Sequence, residues 1–419
     1  MAIYQLILYL SIYMYVIIMP LVYSKFKFMG IPFSGDIWML VVFFIYFIGL
    51  VFFKDMRKSF IRGIKGFLSD YLSISIMALI IIMAVSSIYA DYKMESVYKT
   101  LRYMSYIILY FIIFSQGFEK KFLKGILYCY IFISVIVGII GIWDYASGIG
   151  VIQAGESVSR LRISSTLENS NNLGAYFILI IFPIIMLAIK EKDIKRKVLY
   201  ILIASIFLLN ILFSFSRNAW LGFGIGCIII AFMYSLKFLF TLIPIGIVSF
   251  FIPQISSRLR ELTDVTQNTS RIKIWDTAIM IIKDHSIIGV GNGNFEKACA
   301  RYMYQKPGLK TSNFVPKHPH NIFLEMQAEM GIFGTAAFVS IIISSMVKLI
   351  YFLKNVKDKF FLKFYRGFFV SFVVFILMNL IDDFFSAPKV ISFFWITMAI
   401  LQSYELKDEY SFTEINNLH

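Results

Sequence analysis

The chain has 419 residues, of which 59% are hydrophobic, 18% aromatic and only 16% charged. Those proportions exclude a water-soluble domain and make lipid the main solvent. A formal charge of +15 then speaks less for nucleic acid, which is not expected as a partner, than for anchoring by Lys and Arg at one membrane face.

The first apolar run, "YQLILYLSIYMYVIIMPLVY", is about one membrane thickness long. It lacks a basic leader and a small-residue cleavage site, so it is expected to be a retained helix. Eleven more runs follow, and the approximate spans are 4–23, 36–53, 72–90, 100–116, 122–144, 172–190, 197–215, 217–235, 238–253, 321–350, 367–384 and 389–404. The expected fold is an all-α polytopic membrane protein of about twelve transmembrane helices. Residues 1–253 carry helices one to nine, 254–319 a large loop, 320–404 helices ten to twelve and 405–419 a tail.

Orientation follows from the short loops. Those after spans two, four, six and ten hold Lys54, Arg57, Lys58, Arg62 and Lys65; Lys120, Lys121 and Lys124; Lys190, Lys192, Lys195, Arg196 and Lys197; and Lys354, Lys357, Lys359 and Lys363. Parity puts all four on one side, which the positive-inside rule makes cytoplasmic. Both termini and the tail are then cytoplasmic, and the long segments 145–171 and 254–319 are extracytoplasmic. Within the second, "SRIKIWDTAIMIIKDH" has a helical apolar pattern through Ile272, Trp275, Ala278, Ile279 and Ile282. It predicts a partly helical cap over the membrane domain. Cys129, Cys227 and Cys299 lie far apart, and neither a disulfide nor a metal site is expected from them.

Ionisable residues near lipid are costly and mark function. In "SFSRNAWLG", Arg217 opens span eight, where its guanidinium and the helix N-terminus together suit a phosphate or diphosphate; the alternative is a snorkelling anchor. Arg160 and Arg162 precede span six on the same face and are either loop charges or part of the same site. Asn169, Asn171 and Asn172 read as turn and cap residues. Arg271 opens the loop helix with Trp275 one turn on. "GVGNGNF" at 289–295 reads as a turn, since no strand of a nucleotide-binding unit precedes it.

"HPHNIFLEMQAEMGIFG" at 318–334 places His318 and His320 at the start of an overlong span. The proline disfavours helix at His318, so the helix is expected to begin near His320. There the dipole disfavours the imidazolium and leaves the ring available as a base. Glu325 and Glu329 are four apart and share a helical face. Two histidines two apart with no third ligand in the sequence make a poor zinc site. Asp382 and Asp383, at the end of span eleven, could orient a base or an arginine, or mark a helix break.

The pair "SFSRNAWLG" and "HPHNIFLEMQAEMGIFG" resembles the O-antigen ligase superfamily, which also includes O-antigen polymerases. The second motif is similar to the family pattern of His, a small polar residue, nine residues, Gly, two residues and a small residue, met here by His320, Asn321, Gly331 and Gly334. The twelve-span layout resembles it too. The resemblance implies a metal-independent, cofactor-free, inverting glycosyltransferase of the bacterial cytoplasmic membrane, acting on the periplasmic or outer side. It would move a glycan from undecaprenyl diphosphate to an acceptor sugar such as lipid A-core. His320 would be the base, with Arg217 and Arg271 as catalytic arginines. Arg160, Arg162, His318, Asn321, Glu325, Glu329, Asp382 and Asp383 would surround the substrates. A polymerase of the same superfamily would differ in its acceptor alone. A transporter or flippase would instead predict charges at mid-membrane and inverted repeats.

Overall fold

The computed structural model describes residues 1–28, 31–153, 160–234, 236, 265–310 and 315–416. Hydrocarbon offers no partner to a free N–H or C=O, so a spanning segment satisfies its backbone internally as a helix. Ten described helices are long and apolar enough to cross a membrane: α1 (Ala2–Leu21), α2 (Gly35–Phe52), α4 (Tyr71–Tyr89), α5 (Lys93–Ser115), α6 (Lys120–Ala146), α7 (Ser170–Ile189), α8 (Ile194–Phe213), α9 (Arg217–Tyr234), α12 (Ile322–Asn355) and α13 (Lys359–Met378). They coincide with predicted spans one to eight, ten and eleven. Helix α14 (Pro388–Asn416) covers the twelfth and carries the expected tail as helix to Asn416. The ninth, 238–253, lies outside the described residues, as does the start of the large loop to 264. The all-α polytopic membrane architecture holds, and among the described residues strands are confined to two small antiparallel ribbons, β1 (Lys27–Phe28) with β2 (Ile31–Pro32) and β3 (Val151–Gln153) with β4 (Arg160–Arg162).

Two elements differ from expectation. The basic stretch after span two is a helix, α3 (Lys54–Ser69), burying Met56, Gly63 and Phe67 while Lys54, Arg57, Lys58, Arg62 and Lys65 stay exposed. Alternation of these sets makes it amphipathic. In the large loop, α10 (Val265–Asp284) forms as predicted, followed by α11 (Phe295–Gln305). Its buried face is rotated from the predicted one: Ile274, Thr277, Ala278 and Ile281 are buried, whereas Ile272 and Ile279 are exposed. Trp275 is half-buried outside that face, and its indole donates to the Pro319 carbonyl at 2.9 Å. Helices α10 and α11 share a small core with Ala328 of α12.

Helix α7 is the centre of the bundle. Its residues from Leu173 to Ala188 are all buried, as expected of a helix apolar on every face. It packs against α8, α9, α13 and α14, and Ser371 of α13 donates to its Ile178 carbonyl at 2.9 Å. Contacts between interhelical junctions define the two ends. At one, Ser24 donates to Glu168 at 2.8 Å, Lys389 pairs with Glu168 at 3.1 Å, and Asn218 donates to the Met378 carbonyl at 2.8 Å. At the other, where the basic loops lie, Lys363 pairs with Glu191 at 3.3 Å and Lys348 with Asp70 at 2.6 Å.

Helix α12 breaks at Gly331, whose φ is 64° and ψ −161°. The segment after α10 fills the break: Val290 and Gly291 N–H groups donate to the Ala328 and Glu329 carbonyls at 2.9 and 2.8 Å, and Ile332 N–H to Ser286 O at 3.0 Å. A Cβ on Gly331 would stand 2.1 Å from Ile287 O. One on Gly289, at φ 70°, would stand 2.3 Å from the Glu329 carbonyl carbon. The "GVGNGNF" turn and the glycine of the histidine motif are therefore the two halves of one backbone-to-backbone joint.

Candidate active site

The histidine motif is shaped by its backbone before its side chains. Asn321 is the N-cap of α12, its side-chain oxygen accepting from Phe323 N at 3.0 Å and Leu324 N at 3.1 Å. The helix thus begins at Ile322, and His320 stands just outside it with φ 51°. Among the described residues, the non-glycine positions with positive φ are Ser165, Glu168, Phe215 and His320. All four lie at this end of the bundle, where strain of about 1–3 kcal/mol each is held by the surrounding structure.

His320 Nδ1 lies 3.1 Å from Asp382 Oδ1. The other Asp382 oxygen accepts from Asn171 Nδ2 at 3.0 Å, and Asn171 Oδ1 accepts from Arg162 Nη2 at 2.9 Å. Arg162 Nε in turn donates to the Ser214 carbonyl at 3.1 Å, within the "SFSRNAWLG" segment. This chain has only one consistent polarity. A guanidinium has donors alone, so Asn171 must turn its oxygen to Arg162 and its amide nitrogen to Asp382. The carboxylate accepts on both sides, so His320 presents Nδ1–H to it, and the neutral ring then carries its lone pair on Nε2. The arrangement sets the tautomer a general base needs.

Burial alone would raise the Asp382 carboxyl. Its hydrogen bond to His320 and the charges of His320, His318 and Arg271 outweigh this and hold it below the ordinary carboxylate value. Arg271 of α10 is thereby within electrostatic reach of Asp382. His318 stacks edge-on against His320, with ring centroids 4.3 Å apart, and its Nδ1 accepts from His320 N at 3.3 Å. Burial, then the neighbouring His320, hold His318 below the usual histidine value despite Asp383 and Asp382.

His318, His320 and Asp382 bring ligand-type atoms within 4.8 Å of one another. The third donor that sequence spacing does not offer therefore comes from the far side of the chain. Such a trio could hold a divalent cation. Both Asp382 oxygens, however, already accept from His320 and Asn171, which is the geometry of a base and its orienter.

Arg217 opens α9, as expected, with Ser216 Oγ accepting from Ala219 N at 3.4 Å and Asn218 tying the helix to the end of α13. Arg160 pairs through its backbone with Gln153. Asp383 accepts from Ser386 N at 3.2 Å and follows Asp382 directly. The two glutamates are not brought to His320. Glu329 accepts from Gly293 N at 2.6 Å and Phe295 N at 3.0 Å, so both oxygens anchor the glycine turn. Glu325 faces Lys99 at 3.5 Å. Sequence reasoning missed Asn171 as a relay and Lys99 altogether. Of the three asparagines at the start of α7, Asn169 alone serves as the cap, which leaves the Asn171 side chain for the relay.

A polytopic helical membrane protein with a histidine–carboxylate pair and arginines gathered at one end defines the class. Residues 201–339 match the model of the O-antigen ligase family. A Rickettsia conorii protein named "Putative polysaccharide ligase" is 31% identical over 160 residues, 35% of this chain and 38% of that relative. These findings bear out the resemblance to the O-antigen ligase superfamily.

Proposed function

We propose that the protein is a membrane glycosyltransferase of the O-antigen ligase type, joining a glycan from undecaprenyl diphosphate to an acceptor sugar. The observation that carries this is the Arg162–Asn171–Asp382–His320 chain, which ties His320 Nδ1 to Asp382 and, through Arg162 and the Ser214 carbonyl, to the segment that leads into α9. In one displacement, Nε2 of His320 takes the proton of the acceptor hydroxyl. The hydroxyl oxygen bonds to the anomeric carbon from the face opposite the leaving group, and the carbon–oxygen bond to the diphosphate breaks with inversion. The electron pair leaves on the diphosphate, whose growing charge Arg217 and Arg271 neutralise. Such preorganised charge is worth several kcal/mol, and the base about a hundred- to ten-thousand-fold. The diphosphate is already a good leaving group, so neither ATP nor a metal ion enters the scheme.

The basic loops at the opposite end support placing that end, with both termini, in the cytoplasm of a bacterial cell. The site then faces the periplasm or cell exterior, where lipid-linked glycans are presented. The relative's name as a putative polysaccharide ligase favours ligation over polymerisation, and the acceptor taken here is a lipid A-core-like sugar. The test is transfer by purified protein from a lipid-linked donor, with core oligosaccharide and a second lipid-linked glycan offered as rival acceptors. His320→Ala and Arg217→Ala are expected to abolish transfer in folded protein, and EDTA to leave it intact. Full activity of either variant refutes the role of that residue, and loss in EDTA restored by zinc would turn the His318, His320 and Asp382 trio into a metal site.

A further inference from the structure

A second concavity lies beside the segment that carries Phe385 and Ser386, just after Asp383. It is a cavity of about 140 Å³ between α4, α5, α12 and the segment after α13. It shares Glu95 and Lys99 with a wider open cleft of about 990 Å³ beside the α4–α5 junction and α11. Ser386 lines this cavity and its N–H donates to Asp383 at 3.2 Å, while the adjoining Asp382 holds His320 at 3.1 Å, so one short turn after α13 links the cavity to the candidate base.

Glu325 is the feature that demands an occupant. Its side chain is 3% exposed, and while Oε1 faces Lys99, Oε2 is buried with no hydrogen-bond partner. A buried carboxylate oxygen without a donor is costly enough that native structures supply one. The rest of the lining restricts what the donor belongs to. Tyr98, Tyr103, Tyr106, Phe338 and Phe385 make an aromatic wall. Glu95, Glu325 and Glu329 outnumber Lys99 and Arg102, so a diphosphate is disfavoured here. A hydrocarbon chain would leave the carboxylate unpaired. A sugar ring answers both features, with C–H faces for the aromatic wall and hydroxyls to donate.

We infer that this cavity seats one sugar ring of the glycan substrates, with a ring hydroxyl donating to Glu325 Oε2 and the ring lying against the α5 tyrosines. The inference deepens the transferase reading and rests on it for the source of the ring, which is the acceptor terminus or the donor's first sugar. Lys99 is a positioning residue, holding Glu325 in its one orientation.

The test is steady-state transfer by Glu325→Gln and Tyr103→Leu in lipid nanodiscs, with donor and acceptor varied separately. Each variant is expected to raise KM for one substrate about tenfold or more with kcat nearly unchanged. Acceptor KM rising alone assigns the ring to the acceptor, and donor KM alone to the donor. Unchanged KM for both, or a loss of kcat in parallel with thermal stability, overturns the inference and leaves the transferase reading standing. Saturation-transfer NMR of a core oligosaccharide and of a soluble repeat-unit glycan against wild type and Glu325→Gln needs no turnover. Contacts seen with wild type and lost in the variant support the site even if transfer fails, and contacts equal in both proteins, or absent from both, refute it.

Discussion

Replacing Asp382 by Asn changes a single acceptor into a donor, and the hydrogen-bond chain makes the outcome calculable. Arg162 still forces Asn171 to offer its amide nitrogen, so the new side chain turns its oxygen to Asn171 and its NH2 to His320. His320 then accepts at Nδ1 and carries its proton on Nε2, where the base should be. Recovering the reactive tautomer sets two donors against each other, either at His320 or at Asn171. Two such donors cost about 2–6 kcal/mol, roughly a thirty- to twenty-thousand-fold loss. The His320 side chain is 34% exposed while that of Asp382 is 8% exposed, so water relieves one side of the mismatch. The expected fall in kcat is then about a hundred- to a thousand-fold, with KM for both substrates little changed. The assay is transfer by purified Asp382→Asn protein, with size-exclusion and thermal unfolding to confirm folding. A folded variant within threefold of wild type would falsify the tautomer argument.

Other consequences follow from the same contacts. Arg162→Lys keeps the charge but not the planar fork that reaches Ser214 O and Asn171 together; losing one charged hydrogen bond of about 1.5–3 kcal/mol predicts a kcat roughly ten- to a hundred-fold lower. Gly331→Ala forces a side chain into a positive-φ position against Ile287 O, so apparent Tm should fall by an amount reflecting about 1–3 kcal/mol, with faster amide exchange across 286–294. Glu329→Gln leaves one acceptor for two N–H groups, and exchange at Gly293 and Phe295 should accelerate. Because His318 is held below its ordinary value of 6.5, the unfolded chain binds that proton more readily. Stability should therefore decline as pH drops below that value. Asp382 is held below its ordinary 3.8, and its stabilising contribution, present above that value, is lost as pH falls further through the folded pKa. A Tm-against-pH profile checks both, and a His318→Gln profile flat between pH 7 and 5 isolates the first.

What the sequence made legible was whatever a local rule controls. A run of apolar residues long enough for the bilayer has one backbone solution, so ten spans overlap the observed helices, with the largest offsets at Lys93 and Lys359, where the helices start in charged residues before the apolar run. Arg217 at a helix start and His320 after a proline could be singled out for the same reason. The buried face of α10 was misread because Trp275 was assigned to the local apolar stripe, whereas its indole bonds a carbonyl 44 residues away. Glu325 and Glu329 were placed with His320 because they follow it on one helix, but Glu329 accepts from Gly293 N and Phe295 N of the glycine turn and Glu325 faces Lys99 of α5. Asn171 and Asp382 are separated by 211 residues, and nothing near either says that one fixes the other. The distinction between a histidine and a base lies in that contact. A chain retaining "HPHN" and "SFSRN" but carrying Leu at 171 would keep every local signal. It would lose the amide that holds Asp382, and with it the polarity that turns Nδ1–H of His320 to that carboxylate.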